Sequence, residues 1–288
     1  MRNQDWSLVL FTTLAQLSVG MILWFTLAGY FFSDLGVFME PGPATRYPVL
    51  LALVLIAVAT FTSFLHLGNP SNAPNALNNL SGSGLSREIL ALGVYALSLI
   101  IVLILGWNTG GTEHLKYFMA LSSVPGLTLL WMMIRIYVVP TIPAWYSWHT
   151  PLSFALTALC LGLLALLVFH HAGAAKGDDE VIRKLMGLLM LILFVETASG
   201  FIHQIKLEKM STGIDDLVFN QGPFYRVFLV RMGLLFIAFM AIFILTLKPD
   251  LLLEYGKNVA VYPLFVVIVV QELLGRLLFY SSYFRLGV

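Results

Sequence analysis

Long apolar runs alternate with polar segments along the whole chain. Crossing about 30 Å of hydrocarbon takes roughly 20 mostly apolar residues in a helix. Eight stretches meet that length, over residues 8–32, 47–66, 88–107, 115–138, 149–171, 182–204, 224–247 and 258–281. The segments between them are rich in Gly, Pro, Asn and charge, which is loop chemistry. The pattern predicts an all-α integral membrane protein, an eight-helix bundle forming a single polytopic membrane domain over 1–288 with no soluble domain. The first run is too long for a signal core, has Asp5 before it, and lacks a prompt small-x-small cleavage pattern, so it reads as a retained span.

Composition agrees. The chain is 59% hydrophobic and 11% charged, where soluble domains run near a quarter charged; its mean hydropathy is +0.89. A net charge of +1 gives no basic surface for nucleic acid. The single cysteine, Cys160, lies within an apolar run. It reads as a small buried hydrophobe, and disulfides, thiolate zinc and iron–sulfur ligation in this chain are not expected.

Helix direction divides the loops between two faces. Face A carries both termini, the two long loops at 67–87 and 205–223, and the loop at 139–148; face B carries the other four. Lys and Arg in loops and helix ends split seven on face B to six on face A, so the positive-inside rule does not orient the chain.

The ionisable residues inside spans are more telling. Glu88 opens the third span and Arg135 closes the fourth. Glu196 and His203 lie late in the sixth, Arg231 early in the seventh, and Glu272 and Arg276 late in the eighth. Helix direction puts all seven in the leaflet nearest face A. Charges within a span are costly and usually functional, so the clustering points to a polar pocket or a covered docking surface; structural ion pairs and snorkelling side chains are the plainer reading of any one of them. Glu272 and Arg276, four apart, are expected to pair along one helix. Glu196, Ser199 and His203 share a helix face.

His66 ends the second span beside the long polar loop, and Glu88 stands at the loop's other end. A histidine there can exchange a proton near neutral pH, and a histidine–carboxylate pair against an apolar groove suits proton-coupled oxidation of a quinol. A polar helix cap is the alternative. As haem ligands the histidines are poorly arranged: His114, His149, His170 and His171 lie at helix ends, and His203 shows no partner at its depth. No carboxylate–histidine set at metal-ligand spacing is visible, so metal and haem are not expected. Aromatic residues at the face A edge, among them Trp131, Tyr137, Trp145, Tyr146, Trp148, Tyr225, Tyr280 and Tyr283, read mostly as an interfacial belt.

Strings spaced along most of the chain resemble the membrane anchor of the dimethyl sulfoxide reductase complex, a respiratory molybdoenzyme. They are His66-Leu67-Gly68-x-Pro70, Asn75-x-Leu77-Asn78, Leu85-Ser86-x-Glu88-Ile89, Trp131-Met132-Met133-Ile134-Arg135-Ile136-Tyr137, Pro143-x-Trp145-Tyr146-Ser147-x-x-Thr150-Pro151 and Glu272-Leu273-Leu274-Gly275-Arg276-x-x-Phe279-Tyr280. The resemblance implies an eight-helix anchor without haem in a bacterial or archaeal cytoplasmic membrane. Such an anchor oxidises menaquinol and passes electrons to an iron–sulfur subunit of the four-cluster type, which feeds a molybdopterin catalytic subunit. It implies a quinol site at His66 and Glu88, with Arg135 beside them, and a periplasmic face A. Glu196, His203, Arg231, Glu272 and Arg276 would shape that pocket or the docking surface. An anchor of the polysulfide or nitrite reductase type remains open, as does a different class, the secondary transporter, although transporters favour midplane sites and repeat symmetry. A stand-alone haem cytochrome is a further class.

Overall fold

A computed structural model describes residues 5–31, 43–64, 75, 77–108, 112–172, 179–211, 222–247 and 261–284. Among them are eight helices long and apolar enough to cross a membrane: α1 (Asp5–Phe31), α2 (Pro43–Phe64), α3 (Gly84–Asn108), α4 (Thr112–Tyr137), α5 (His149–Ala172), α6 (Asp179–Ser211), α7 (Gly222–Leu247) and α8 (Val261–Ser281). The expected spans agree to within a few residues except at the end of α6. That helix runs to Ser211, so residues 205–211, expected as loop, are helical. Lys206, Glu208 and Lys209 end the apolar run there, but charge alone does not break a helix. Gln204 donates to Glu208 Oε1 at 3.2 Å one turn on. Local chemistry marks the ends: Pro43 opens α2, where its missing N–H costs nothing. Ser83 caps α3, its hydroxyl accepting from the Ser86 N–H at 3.2 Å.

The helices pack as two rings of four. In the first, α1 meets α2, α2 meets α3, α3 meets α4 and α4 returns to α1; α5, α6, α7 and α8 repeat that order. The rings join where α1 packs on α5 and α8, and α4 on α5. This likeness between the halves is not visible as a sequence repeat.

Position in the rings decides composition. Within its most apolar window α1 is 78% buried and α5 67%, against 33% for α2, α3 and α7. The peripheral helices turn Phe61, Leu97, Leu121, Phe194 and Phe236 outward, toward acyl chains. With no water nearby, a central helix that carries polar side chains must satisfy them internally. Those of α1 reach every neighbour in its own ring and α5 in the other. Ser18 donates to the Ala52 carbonyl on α2 (2.9 Å) and lies 3.1 Å from the Tyr95 hydroxyl on α3. Thr26 meets Ser123 on α4 at 3.1 Å. Trp24 Nε1 donates to the Leu159 carbonyl on α5 at 2.8 Å.

Candidate functional site

The richest polar cluster lies inside the second ring, in its face A half. Residues 272, 276 and 280 recur every four positions on α8, so one inward stripe presents Glu272, Arg276 and Tyr280, with Gln271 beside it. All four are buried. Opposite them α7 supplies Arg231, whose guanidinium Nη2 is ion-paired with Glu196 on α6 and whose Nε donates to Gln271 Oε1 at 3.4 Å. A buried ion pair of this kind needs close geometry and further hydrogen bonds to offset the loss of solvation.

The expected direct pairing of Glu272 with Arg276 is replaced by a bridge. Arg276 Nη2 donates to Thr157 Oγ1 (3.0 Å) and to the Ser153 carbonyl (3.2 Å) on α5. Thr157 in turn lies 2.8 Å from Glu272 Oε2. The Arg276 guanidinium stacks 3.8 Å over the Phe154 ring, a cation–π contact strengthened by exclusion of water. Adjacent helices bring these partners closer than the next turn of α8 does. Two arginines and two glutamates thus form a set whose formal charges sum to zero.

Gly275 is part of this design. A Cβ there would sit 2.8 Å from Arg231 Cζ and Nε, inside van der Waals contact. We expect Gly275→Ala to push the guanidinium off Glu196 and lower stability by about 1–3 kcal/mol, the usual range for overpacking. Thermal unfolding in detergent checks this; an unchanged midpoint would mean that Arg231 has room to move.

A narrow cavity of about 50 Å³ opens beside the cluster, lined by His149, Thr157, His203, Arg231, Glu272 and Arg276 among others. That is room for a few waters rather than for a ring-sized ligand. His149 and His203 stack face to face near its mouth, 4.2 Å between centroids and 5° between planes. This corrects the expectation that His203 has no partner: α5 starts and α6 ends on face A, so the two rings share a depth, and the helix rotation that turns them together is set by packing. Metal-ligand proximity is also corrected. Cys160 Sγ and carboxylate oxygens of Glu196 and Glu272 lie within 4.8 Å of one another, all buried; the sequence presents these residues on three different helices.

Glu88 approaches from the first ring. It is 5% exposed, its Oε1 has no hydrogen-bond partner among the described residues, and it is close enough to Tyr137 and Tyr280 for its charge to act on both. Those hydroxyls are 2.8 Å apart. Tyr137 stands in an aromatic group with Trp145, Phe154, Phe279 and Tyr280, and Trp145 Nε1 pins the Phe279 carbonyl at 2.8 Å. The expected interfacial belt is therefore partly core: Tyr137 and Tyr280 are buried, while Trp131, Tyr146, Trp148 and Tyr283 are exposed. A line of buried groups runs from Glu88 through the tyrosines to Arg276 and on to Glu272, Arg231 and Glu196.

Of the residues singled out from sequence, this brings together Glu88, Glu196, His203, Arg231, Glu272 and Arg276. Arg135 is exposed in the last turn of α4 and stands apart from the buried set. His66 lies outside the described residues. Sequence reading passed over Thr157 and Gln271 and weighed His149 only as a haem ligand; the four-residue spacing of Glu272, Arg276 and Tyr280 was the available signal for the stripe they serve.

Comparison with known proteins follows the same line. Residues 1–282 match the family described as DMSO reductase anchor subunit (DmsC). The C subunit of the anaerobic dimethyl sulfoxide reductase of Escherichia coli is 29% identical over 245 residues, covering 82% of this protein and 80% of that one. The Escherichia coli anaerobic dimethyl sulfoxide reductase subunit YnfH is 31% identical over 178 residues, 58% of each protein. The C subunit of the Haemophilus influenzae reductase is 27% identical over 298 residues, 98% of this protein and 95% of that one. With eight apolar helices and a match over nearly its whole length, the chain belongs to the DMSO reductase anchor subunit family of multi-pass membrane proteins.

Proposed function

We propose that the chain is the membrane anchor of a dimethyl sulfoxide reductase-type complex and the subunit that oxidises its quinol. It takes two electrons from menaquinol at the face A side and passes them to an iron–sulfur subunit seated there. That subunit supplies a molybdopterin subunit, which reduces dimethyl sulfoxide or a similar oxide. Face A is the periplasmic face in this reading. Family membership supports the anchor role, and the relatives' names support the reductase partners.

The observation that carries the quinol step is Glu88. A carboxyl group 5% exposed with an unpartnered oxygen, at the face A end of α3, is poised to accept a proton from a bound hydroxyl. A quinol gives up two electrons only as its two O–H protons leave, and a positioned base lowers that barrier. His66 stands at the opposite end of the same polar loop in sequence and is assigned the second hydroxyl. Arg135 would sit at the rim, where its exposure suits a headgroup or the partner better than a ring.

The test uses the intact complex in membranes. In Glu88→Gln and His66→Ala, quinol-dependent reduction of the acceptor is expected to fall at least about 100-fold, the low end for loss of a general base. Reduction by an artificial donor to the catalytic subunit, and co-purification of the partners, should be unchanged. Normal quinol oxidation in both variants would move the site elsewhere. Failure of any iron–sulfur partner to co-purify would remove the anchor reading itself.

A further inference from the structure

Glu196 and Glu272 come from different helices, yet their carboxylate oxygens lie within 4.8 Å of each other and of Cys160 Sγ. Exposure is 3%, 1% and 0% for the three residues. One oxygen of each carboxylate is occupied: Glu196 Oε1 by Arg231, Glu272 Oε2 by Thr157. The other two, Glu196 Oε2 and Glu272 Oε1, have no hydrogen-bond donor among the described residues. Buried polar atoms left in this state call for an unseen partner such as water or an ion.

We propose that Glu196 and Glu272 form an acid pair that binds one exchangeable proton, reached from face A through the cavity between α5, α6, α7 and α8. A proton on either carboxyl gives an open oxygen a donor, and closing the carboxylates from within 4.8 Å to hydrogen-bond distance makes an O–H···O⁻ bond, among the stronger kinds available in a protein interior. The surrounding charges explain why the proton is exchangeable. With both carboxylates ionised, Arg231 and Arg276 balance them and the set is neutral, at the cost of two unfilled oxygens. With the proton bound, both oxygens are filled and the set carries one positive charge, spread over the Phe154 face and the Ser153 carbonyl that already receive Arg276. Charge favours the neutral, proton-free state, and the two unfilled oxygens favour the proton-bound one.

Every neighbouring element contributes. From α5 come Cys160, Thr157, Ser153 and His149; from α6, His203; from α7, Arg231. From α8 come Gln271, Arg276 and Tyr280, and α1, which packs on α8, brings Thr12 3.5 Å from the Tyr280 hydroxyl. The route in is short: Glu272 lines the same cavity as His203, Gln204 and Ser282, and Ser282 lies just beyond the face A end of α8. This assignment stands whether or not quinol is oxidised at Glu88.

Infrared spectroscopy of the purified full chain in lipid tests it without any turnover. Acidification should produce a carboxylic-acid C=O band that shifts down in heavy water and is lost in Glu196→Gln and in Glu272→Gln. The exposed Glu180→Gln should keep it. Cys160 is the protein's one cysteine, so its S–H stretch is a single assignable reporter. In the native protein that stretch should shift as the acid band appears, a measurement that needs no variant to fold. An acid band of undiminished amplitude in both glutamine variants overturns the proposal. So does an S–H stretch that ignores pH, or an acid band that fails to exchange in heavy water.

Discussion

Arg231→Leu is expected to destabilise the protein by about 3–5 kcal/mol, the usual cost of removing one partner of a buried pair. The cost arises from what remains. Glu196 would lose its counter-ion in a site 3% exposed, with the Glu272 carboxylate within 4.8 Å. Thermal or denaturant unfolding of the purified protein measures it. The decisive comparison is the double variant Arg231→Leu with Glu196→Leu, which removes both charges together. Partners in one network do not add, so the double variant should recover most of the loss. Recovery should stay incomplete, because Gln271 Oε1 loses its donor from Arg231, a deficit of about 1–3 kcal/mol for a buried polar group. A double variant no better than the single one would mean that Arg231 stabilises the fold through packing or some other partner.

That prediction depends on pairings that the amino-acid sequence only partly reveals. Spans were legible because hydrocarbon imposes a length and a composition, and helix direction then placed seven ionisable residues in one leaflet. Depth is a one-dimensional quantity, and hydropathy reports it well. Which residue meets which is a matter of helix rotation and neighbour choice. The expected Glu272–Arg276 contact illustrates the limit: spacing along α8 brings the two close, but Thr157 arrives from α5 and takes both. His149 and His203 share a depth that could be read from the sequence, while their stacking could not. Tyr137 and Tyr280 read as interfacial by composition and are buried because α4, α5 and α8 converge there. Arg135 differs the other way: its place in the fourth span counts it among the buried charges, and its helix face turns it outward. The two-ring arrangement was illegible for a related reason, since most lipid-facing and helix-facing positions are equally apolar. Within a bilayer, small residues rather than hydrophobic stripes mark the interfaces.

Gly162→Leu is accordingly expected to prevent the folded protein from accumulating in the membrane. Gly162 on α5 faces Gly20 on α1 so closely that a Cβ at 162 would lie 2.7 Å from Gly20 Cα and closer still to its carbonyl group. A Cβ at Gly20 would in turn run into the Ala158 carbonyl, one turn earlier on α5. Ala158 and Gly162 are four apart, the small-xxx-small spacing that lets transmembrane backbones touch. A leucine side chain must therefore part the helices, and two bonds set by their register go with it: Trp24 Nε1 to the Leu159 carbonyl at 2.8 Å, and Gln16 Nε2 to the Phe154 carbonyl at 3.4 Å. Because this seam joins the two rings, its opening would also pull the Glu88 side away from the Arg276–Glu272 side. The milder Gly162→Ala should fold with a loss near the upper end of the roughly 1–3 kcal/mol seen for overpacking. Gly187→Ala is the control, since its Cβ would meet nothing within 4 Å and its unfolding midpoint should hold or rise slightly. Membrane abundance and unfolding midpoints of the three variants decide the matter. Should Gly162→Leu accumulate and melt like Gly187→Ala, the α1–α5 contact would not be the seam that holds the two rings together.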